Sequence, residues 1–313
     1  MNSMNVVAII GPTAVGKTEL SLELAERLHA EVISVDSRQV YRYMDVGTDK
    51  VSLETRKRIP HHLIDIADPD EVFSAASFVD VAAAAALRIR ARGCVPLFVG
   101  GTPFYYQALF GGMLSEGLPS SDGVRRKYEQ IAEADGPEAL HRMLAEVDPV
   151  TAVRLHPHDA QRLVRALEIF SVTSTPPSVL YGRKGRQSGM SPLYIGLTRP
   201  RAELYERVAS RAARQFASGY PEEVAWLVAH GFDERFPSMR GFGYSELAAW
   251  CRGGMTLDDA LASDIRRTKA FLRRQMTWFG SEKFSPSAWF DLSEGHAKVL
   301  DEAADAALKH LRL

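Results

Sequence analysis

The segment from Gly11 to Thr18 constrains the fold of this chain more than any other. It reads Gly-Pro-Thr-Ala-Val-Gly-Lys-Thr and fits the phosphate-binding pattern Gly-x4-Gly-Lys-Ser/Thr at every specified position. The apolar run in Met4–Ile10 precedes it and predicts a strand buried on both faces. An amphipathic helix is predicted to follow, because leucines recur at every fourth position: Leu20, Leu24 and Leu28.

A strand, a glycine-containing loop and a helix in this order predict a P-loop. Its glycines let backbone N–H groups turn inward around an anion, and the start of the helix directs further N–H groups to the same point. Lys17 adds a full positive charge, and the Thr18 hydroxyl is placed to bind Mg²⁺. The predicted ligand is a polyphosphate or a diphosphate. The predicted diphosphate-binding residues are Gly11, Pro12, Thr13, Ala14, Val15, Gly16, Lys17 and Thr18.

Further apolar runs alternate with helical segments and predict an α/β fold. The predicted buried strands after the first are Val32–Val35, His62–Ile66, Leu97–Val99 and Tyr194–Leu197. Strands that alternate with helices form a parallel sheet with right-handed crossovers. We therefore expect a P-loop NTPase-like parallel sheet flanked by helices, and beyond Leu197 the chain is predicted to be mostly helical.

Residues 115–189 differ, because they contain no convincing buried strand. Helices are predicted at Asp122–Asp135, Pro137–Val147 and Asp159–Thr173, with Asp122 and Asp159 as N-caps. We interpret this stretch as an all-helical insertion domain. The α/β core then comprises residues 1–114 and 190–313.

Charge and cysteine content exclude several classes of protein. The net charge of −1 argues against a general electrostatic coat for nucleic acid but permits a local basic patch. The two cysteines, Cys94 and Cys251, form no zinc-binding pattern, and the adjacent His61 and His62 carry no metal signal. We find no signal peptide and no membrane-spanning segment, so we expect a cytoplasmic protein; nothing indicates an obligate protein partner.

Two further segments follow predicted strands at the edge where the P-loop lies. Asp36 follows the second strand, where a carboxylate acts as a magnesium ligand or a general base, or else simply forms a turn. Gly100-Gly101-Thr102 follows the strand Leu97–Val99. These glycines permit close approach of a ligand, or form a tight turn without further function.

Two helices are predicted to carry basic faces. In Leu257–Trp278 the cations share one side: Arg266, Arg267, Lys269, Arg273 and Arg274. No acidic residue lies between Asp264 and Glu282, so this face either binds a phosphate backbone or is solvated. The opposite side, with Ile265, Phe271, Leu272, Trp278 and Phe279, is expected in the core. Arg207, Arg211 and Arg214 form a second stripe, which either reaches the P-loop or lies on the surface.

Taken together, these segments resemble the bacterial tRNA dimethylallyltransferases, also called tRNA isopentenyltransferases, nearly from end to end. The resemblance is carried by Gly11–Thr18, Asp36–Thr48, Val99–Thr102 with Tyr105-Tyr106, Asp159–Glu168, Met239-Arg240 with Gly243-Tyr244, and Arg273–Phe279. The string Asp36–Thr48 is far more selective than the P-loop, which thousands of proteins share.

The resemblance implies transfer of a dimethylallyl group from dimethylallyl diphosphate to the exocyclic amine of the adenine 3′ of the anticodon, in tRNAs that read UNN codons. In this interpretation Asp36 accepts the proton of the amine, Thr102 neighbours the adenine, and Arg211 with Lys17 and Mg²⁺ on Thr18 stabilises the departing pyrophosphate. The anticodon stem-loop is expected to contact the insertion and the following residues: Asp36, Ser37, Arg38, Gln39, Gln161, Arg162, Leu163, Val164, Arg165, Arg240, Gly241, Phe242, Gly243, Tyr244, Ser245, Lys269, Arg273 and Arg274.

Two other functions use the same predicted fold. A P-loop kinase of a nucleotide or small metabolite would consume ATP, with the insertion as an arginine-bearing lid. A nucleotide-dependent switch would need segments that a γ-phosphate reorders, and the sequence offers none.

Overall fold

The computed structural model describes residues 3–112, 118–181, 188–284 and 288–312. The chain divides into two compact units. The first combines Met1–Phe110 with Gly189–Leu313, and the second is Gly111–Ser188.

A six-stranded, entirely parallel sheet forms the centre of the first unit. Its strands are β1 (Met4–Ile10), β2 (Ala30–Ser34), β3 (His61–His62), β4 (Val95–Gly100), β5 (Met190–Thr198) and β6 (Ala288–Asp291). Their order across the sheet is β3-β2-β4-β1-β5-β6. Ile10 pairs with Gly100, and Ser34 pairs with Val99. Because all strands run in the same direction, the loops after β1, β2 and β4 lie together at one edge of the sheet.

Helices cover both faces of this sheet. Those of the first unit are α1 (Lys17–Leu28), α2 (Leu53–Arg58), α3 (Ala75–Ala91), α4 (Pro103–Phe110), α10 (Arg201–Ala217), α11 (Tyr220–Ala229), α12 (Tyr244–Cys251), α13 (Leu257–Phe279) and α14 (His296–Leu311); those of the second are α5 (Asp122–Asp135), α6 (Pro137–Val147), α7 (Pro149–Arg154), α8 (Ala160–Thr173) and α9 (Pro177–Tyr181). Pro237–Arg240 and Leu292–Glu294 are short 3-10 helices. The parallel sheet and its flanking helices confirm the predicted fold class.

Successive side chains of β1 point to opposite faces of the sheet and so contribute to two separate parts of the core. Val7 and Ile9 pack with α1, α10 and α14, whereas Val6, Ala8 and Ile10 pack with α3 and α4. Each of these five side chains is completely buried. The unbroken apolar run before the P-loop is thus explained by a central strand that is covered on both sides.

The prediction of a strand over His62–Ile66 is wrong. Only His61 and His62 form a strand, because Leu63 and Asp65 adopt left-handed backbone conformations with φ of 65° and 58°. The turn presents Asp65 to Arg56 (2.6 Å) and to the buried ammonium of Lys50. Four-residue β6 was not predicted.

The second unit is helical where it is described. Its core contains Tyr128, Leu140, Leu144, Leu163 and Leu167. Asp159 caps α8 through the N–H of Arg162, as predicted, but the N-cap of α5 is Ser121 and not Asp122. The serine hydroxyl accepts from the N–H of Val124, so the cap lies one residue earlier than the prediction.

No helix among the described residues is long and apolar enough to cross a membrane.

Candidate functional site

Backbone conformation makes Gly11–Thr18 a concave array of N–H groups between β1 and α1. Gly11, Ala14 and Gly16 have φ of 148°, 64° and 109°. A Cβ on Gly11 would lie 2.7 Å from the carbonyl oxygen of Leu197, so only glycine fits there. Gly16 is the N-cap of α1 and supplies no side-chain acceptor. The first N–H groups of α1 are therefore free of a side-chain cap at the point where an anion would bind.

Lys17 lies inside this loop. Its Nζ donates to the carbonyl oxygens of Gly11 (2.9 Å) and Pro12 (2.7 Å). Desolvation lowers the pKa of its ammonium to about 7; nearby Arg211 also lowers it, and Asp36 opposes the change. A bound anion would stabilise the charged form, so Lys17 is prepared to gain charge when a phosphate group arrives.

Three side chains from outside the loop hold its backbone in place. Gln275 of α13 accepts from the N–H of Thr13 (2.9 Å) and donates to the carbonyl of Gly101. Arg199 donates to the carbonyl of Val15 (2.9 Å), and Arg207 donates to that of Ala14 (2.8 Å). Sequence reasoning placed Arg207 near the loop as one alternative but gave Gln275 no role. The signal that could have identified Gln275 is a polar residue on the otherwise apolar side of a predicted helix.

Asp36 follows β2 and performs a structural task at the same edge. Its Oδ1 accepts from the N–H groups of Arg38 (2.7 Å) and Gln39 (3.3 Å), which is an Asx-type turn. Oδ2 has no hydrogen bond to any residue within the described ranges. The turn and the functional interpretation are thus compatible, because each uses a different oxygen.

The loop after β4 approaches closely from the neighbouring strand. Thr102 Oγ1 accepts from the N–H of Ser37, the residue after Asp36 (3.3 Å). A Cβ on Gly100 would lie 2.0 Å from the carbonyl oxygen of Val35, and one on Gly101 would lie 2.6 Å from Gln275 Nε2. Glycine is therefore required at position 100, where the obstacle is backbone, whereas at position 101 a larger residue would have to displace the Gln275 side chain. The hydrogen bond from Ser37 brings Thr102 beside Asp36.

One cavity of about 850 Å³ joins these loops. Its wall includes the P-loop residues Thr13, Ala14, Gly16, Lys17 and Thr18, the residues Asp36, Ser37, Arg38, Gln39 and Thr102, the arginines Arg207, Arg211, Arg214 and Arg274, and the more distant Phe242, Tyr244, Asp264, Thr268, Phe271 and Gln275. All belong to the first unit. Arg211 Nη1 lies 3.7 Å from Asp49 Oδ2, a loose ion pair that leaves its guanidinium beside the cavity.

The predicted RNA-binding residues of the first unit differ in accessibility. Arg240 is exposed, whereas Gly241, Gly243 and Tyr244 are buried. Tyr244 donates to Glu223 (2.7 Å), and Ser245 accepts from Arg267 (2.7 Å). Arg38 donates to the carbonyls of Pro237 and Ser238, which ties the Asp36 turn to the segment before α12. Phe242 and Tyr244 both line the cavity, and Phe242 is the less buried of the two.

Glu223 fixes the loop that follows Asp36. Its carboxylate accepts from the N–H groups of Asp45 (2.7 Å), Val46 (2.6 Å) and Gly47 (3.2 Å), in addition to Tyr244. A Cβ on Gly47 would lie 2.1 Å from the ring of Tyr220, so the loop packs tightly against α11.

Helix α13 carries its cations differently from the prediction. Arg273 and Arg274 are exposed, and Lys269 lies over the ring of Tyr205 at 5.4 Å. Arg267 instead pairs with Glu246 of α12 at 2.6 Å, so the basic face is not free of acids. Sequence spacing on one helix cannot show a carboxylate from another.

The opposite side of α13 is also more polar than expected. Leu272 and Phe279 are buried as predicted, but Ile265, Phe271 and Trp278 are only partly buried. Among the buried residues of this helix are Asp264, Thr268 and Gln275, which line the cavity. This side of the helix thus serves a polar site as well as the core.

Within the second unit, the predicted RNA-binding residues divide into two groups. Gln161 and Arg162 are exposed, whereas Leu163 and Val164 pack in the core of that unit, so the side chains of these two do not lie at its surface. That they bind RNA stays a prediction. Arg165 donates to the carbonyls of Leu118 and Pro119 and pairs with buried Glu168 (2.8 Å).

Fold and site together define a P-loop protein in which the P-loop, a carboxylate and several arginines line one large cavity. Residues 39–282 match the family model described as IPP transferase. The chain belongs to the IPP transferase family.

Relatives with named functions cover most of the chain. A tRNA dimethylallyltransferase from Chloroflexus aurantiacus is 46% identical over 274 residues, which are 88% of this chain and 92% of that protein. One from Thermomicrobium roseum is 41% identical over 305 residues, or 97% of this chain and 92% of the relative.

Solved structures show the same fold. The full-length tRNA isopentenylpyrophosphate transferase from Bacillus halodurans is 35% identical with a TM-score of 0.70, and the match covers 98% of both chains. A eukaryotic dimethylallyltransferase, solved acting on tRNA, is 28% identical with a TM-score of 0.77; the match covers 92% of this chain and 74% of the other.

Proposed function

We propose that this protein transfers a dimethylallyl group from dimethylallyl diphosphate to the exocyclic amine of the adenine 3′ of the anticodon, and releases pyrophosphate. The observation that carries the proposal is the meeting of the P-loop, Asp36, Thr102 and Arg211 around one cavity. The functions of the relatives favour this reaction over a P-loop kinase.

The donor binds through its diphosphate. The N–H groups of Gly11–Thr18 and the start of α1 face the phosphate oxygens, and Lys17 becomes fully charged as they approach. Arg211 lies close enough to Lys17 to affect its pKa, so its charge acts on the same region. Together these groups stabilise the negative charge that develops on the leaving pyrophosphate.

The oxygen chemistry at the start of α1 suits Mg²⁺. Thr18 lines the cavity and presents a hydroxyl, and a hydroxyl together with diphosphate oxygens forms the hard donor set that this ion prefers. When bound, Mg²⁺ offsets diphosphate charge. Thr18 is the residue that would hold it.

Asp36 removes the proton from the acceptor. The amine nitrogen forms a bond to the first carbon of the dimethylallyl group while the bond from that carbon to the diphosphate oxygen breaks. The amine then carries an excess proton, which the unbonded Oδ2 of Asp36 accepts. A positioned base of this kind contributes about 10²–10⁴ in rate. Thr102, whose hydroxyl accepts a hydrogen bond from the N–H of Ser37, lies beside the incoming adenine.

The RNA contacts arise outside the P-loop. The adenine must leave the anticodon stack to enter the cavity, at a cost of a few kcal/mol. Exposed Arg273 and Arg274 of α13, together with half-buried Lys269, supply charge for phosphate contacts. We propose that the helical insertion, residues 115–189, contacts the anticodon stem-loop through exposed side chains such as Gln161 and Arg162.

One incubation tests the function. Dimethylallyl diphosphate with a labelled prenyl group is mixed with the protein, Mg²⁺ and unmodified tRNA that reads UNN codons. We expect the label in the RNA at the adenine 3′ of the anticodon. A parallel reaction with γ-labelled ATP tests the kinase alternative; transfer of that label to a small molecule, with no prenyl label in the RNA, would contradict the proposal.

A further inference from the structure

Asp264 is a buried acid for which the proposed reaction has no task. It lies on α13, one turn before Thr268, and is 5% exposed. Its one hydrogen bond within the described ranges is from Thr268 Oγ1 to Oδ1, at 3.2 Å. No cation of the described residues lies within 4 Å of its carboxylate. A buried carboxylate is normally paired, because burial of an isolated charge is costly.

The surroundings of Asp264 do not remove this cost. The titratable and charged groups that influence it come from four helices: Arg211 of α10, Tyr220 of α11, Glu246 of α12 and Arg267 of α13. Arg267 is already paired with Glu246. The pKa of the Asp264 carboxyl is raised to about 6, because burial and the nearby charge of Glu246 outweigh the opposing effects of Thr268, Arg211 and Arg267. At neutral pH the group is therefore mostly ionised and can accept a hydrogen bond.

Asp264 lines the cavity beside two aromatic walls. The rings of Phe242 and Phe271 lie 5.1 Å apart between centroids and border the same space, with Arg274 over Phe271 at 5.9 Å. Aromatic rings and arginine planes are the surfaces on which unstacked RNA bases pack. A hydrocarbon tail gains nothing from a buried carboxylate, whereas a nucleoside offers N–H and O–H donors to it.

We propose that Asp264 is a specificity-determining residue that accepts a hydrogen bond from an N–H or ribose O–H of the RNA nucleoside entering the cavity. This inference rests on the proposed function, since it assigns the nucleoside to one part of the same cavity. Oδ2 is the accepting atom, and Thr268 fixes the carboxylate through Oδ1. The dimethylallyl diphosphate lies at the P-loop and does not contact Asp264.

The test compares Asp264→Asn with the wild type in prenyl transfer to an anticodon stem-loop RNA. The amide keeps the size and the acceptor for Thr268 but loses the charge. We expect KM for the RNA to rise about 10- to 100-fold, the loss of one hydrogen bond to a charged group, with KM for dimethylallyl diphosphate changed less than two-fold. Asp258→Asn, an exposed position on the same helix, serves as the matched control and leaves both constants unchanged.

Two further readouts separate recognition from a structural role. The thermal midpoint of Asp264→Asn should equal or exceed that of the wild type, because an unpaired buried charge has been removed. The ratio of the two KM values for RNA should fall steadily as the pH is lowered from 8 to 5, because protonation of the wild-type carboxyl removes the charge that the amide lacks. An unchanged KM for RNA, equal changes for both substrates, or a lower thermal midpoint would overturn the inference. If the wild type itself prenylates no RNA, the proposed function has failed instead.

Discussion

Replacement of Gln275 by leucine should both destabilise the protein and weaken its hold on a diphosphate. The side chain is 3% exposed and joins two loops of the site, through the N–H of Thr13 and the carbonyl of Gly101. Leucine has similar bulk but can neither accept nor donate. The substitution therefore leaves two backbone groups without a partner at the point where the P-loop meets the loop after β4.

The size of the effect follows from the burial of these two groups. A buried group that loses its partner costs about 1–3 kcal/mol. The hydrogen bond to Gly101 is fully buried, whereas Thr13 lines the cavity and can be reached by water. We expect the free energy of unfolding to fall by about 2–4 kcal/mol in total. If about 1.4 kcal/mol of this is lost in ordering the P-loop, affinity for dimethylallyl diphosphate falls about ten-fold.

Urea unfolding and isothermal titration with dimethylallyl diphosphate measure the two effects on one preparation. Gln130→Leu, at an exposed position of α5, is the control and should change neither. A Gln275→Leu protein that unfolds within 0.5 kcal/mol of the wild type, a margin typical of surface substitutions, and binds the diphosphate equally well would refute the idea that this amide holds the P-loop in place.

Three other predictions concern charge. Asp36→Asn keeps an acceptor for the N–H groups of Arg38 and Gln39 but can no longer take up a proton. We therefore expect kcat to fall by ~10²–10⁴ while RNA binding stays within a few-fold. Parallel losses of kcat and RNA binding would contradict the role of Asp36 as base. Arg273→Gln should weaken RNA binding and reduce the slope of log K against log salt by about one for each phosphate that the protein no longer neutralises. Arg27→Gln, remote from the P-loop, is the control. An unchanged slope for Arg273→Gln would mean that this face of α13 is merely solvated. Because the pKa of Lys17 is about 7 in the free protein and a diphosphate raises it, binding of a diphosphate at pH 8 should take up protons. Calorimetric titrations in buffers of different ionisation enthalpy measure this uptake, which should vanish in Lys17→Met. If the wild type takes up no protons either, the reasoning fails.

The parts of the fold that sequence predicts well are those set by local pattern. The run before Gly11 is apolar without interruption because β1 is covered on both faces, and Leu20, Leu24 and Leu28 recur because α1 packs one side on the sheet. By contrast, residues 62–66 include two left-handed residues, Leu63 and Asp65, and Asp65 forms ion pairs with Arg56 and Lys50, nine and fifteen positions earlier. Such long-range causes leave no local pattern.

The candidate site likewise combines features that local sequence predicts with features that depend on distant residues. The loop Gly11–Thr18 can be recognised because its geometry is encoded in consecutive residues. Asp264 and Gln275 could not be assigned, because a helix wheel distinguishes apolar from polar residues but does not show that the buried side of α13 meets a cavity. The pairing of Arg267 with Glu246 depends on the packing of α12 against α13, which spacing along one helix cannot reveal.

The carboxylate of Glu223 has a consequence for how the protein responds to competing ions. Three consecutive amides, from Asp45 to Gly47, enclose this carboxylate much as the amides of Gly11–Thr18 would enclose a phosphate. Because the carboxylate is covalently tethered, its effective concentration at those amides exceeds that of dissolved anions. We therefore expect inorganic phosphate to compete with a diphosphate at the amides of Gly11–Thr18 without displacing Glu223, so that the loop after Asp36 stays in place.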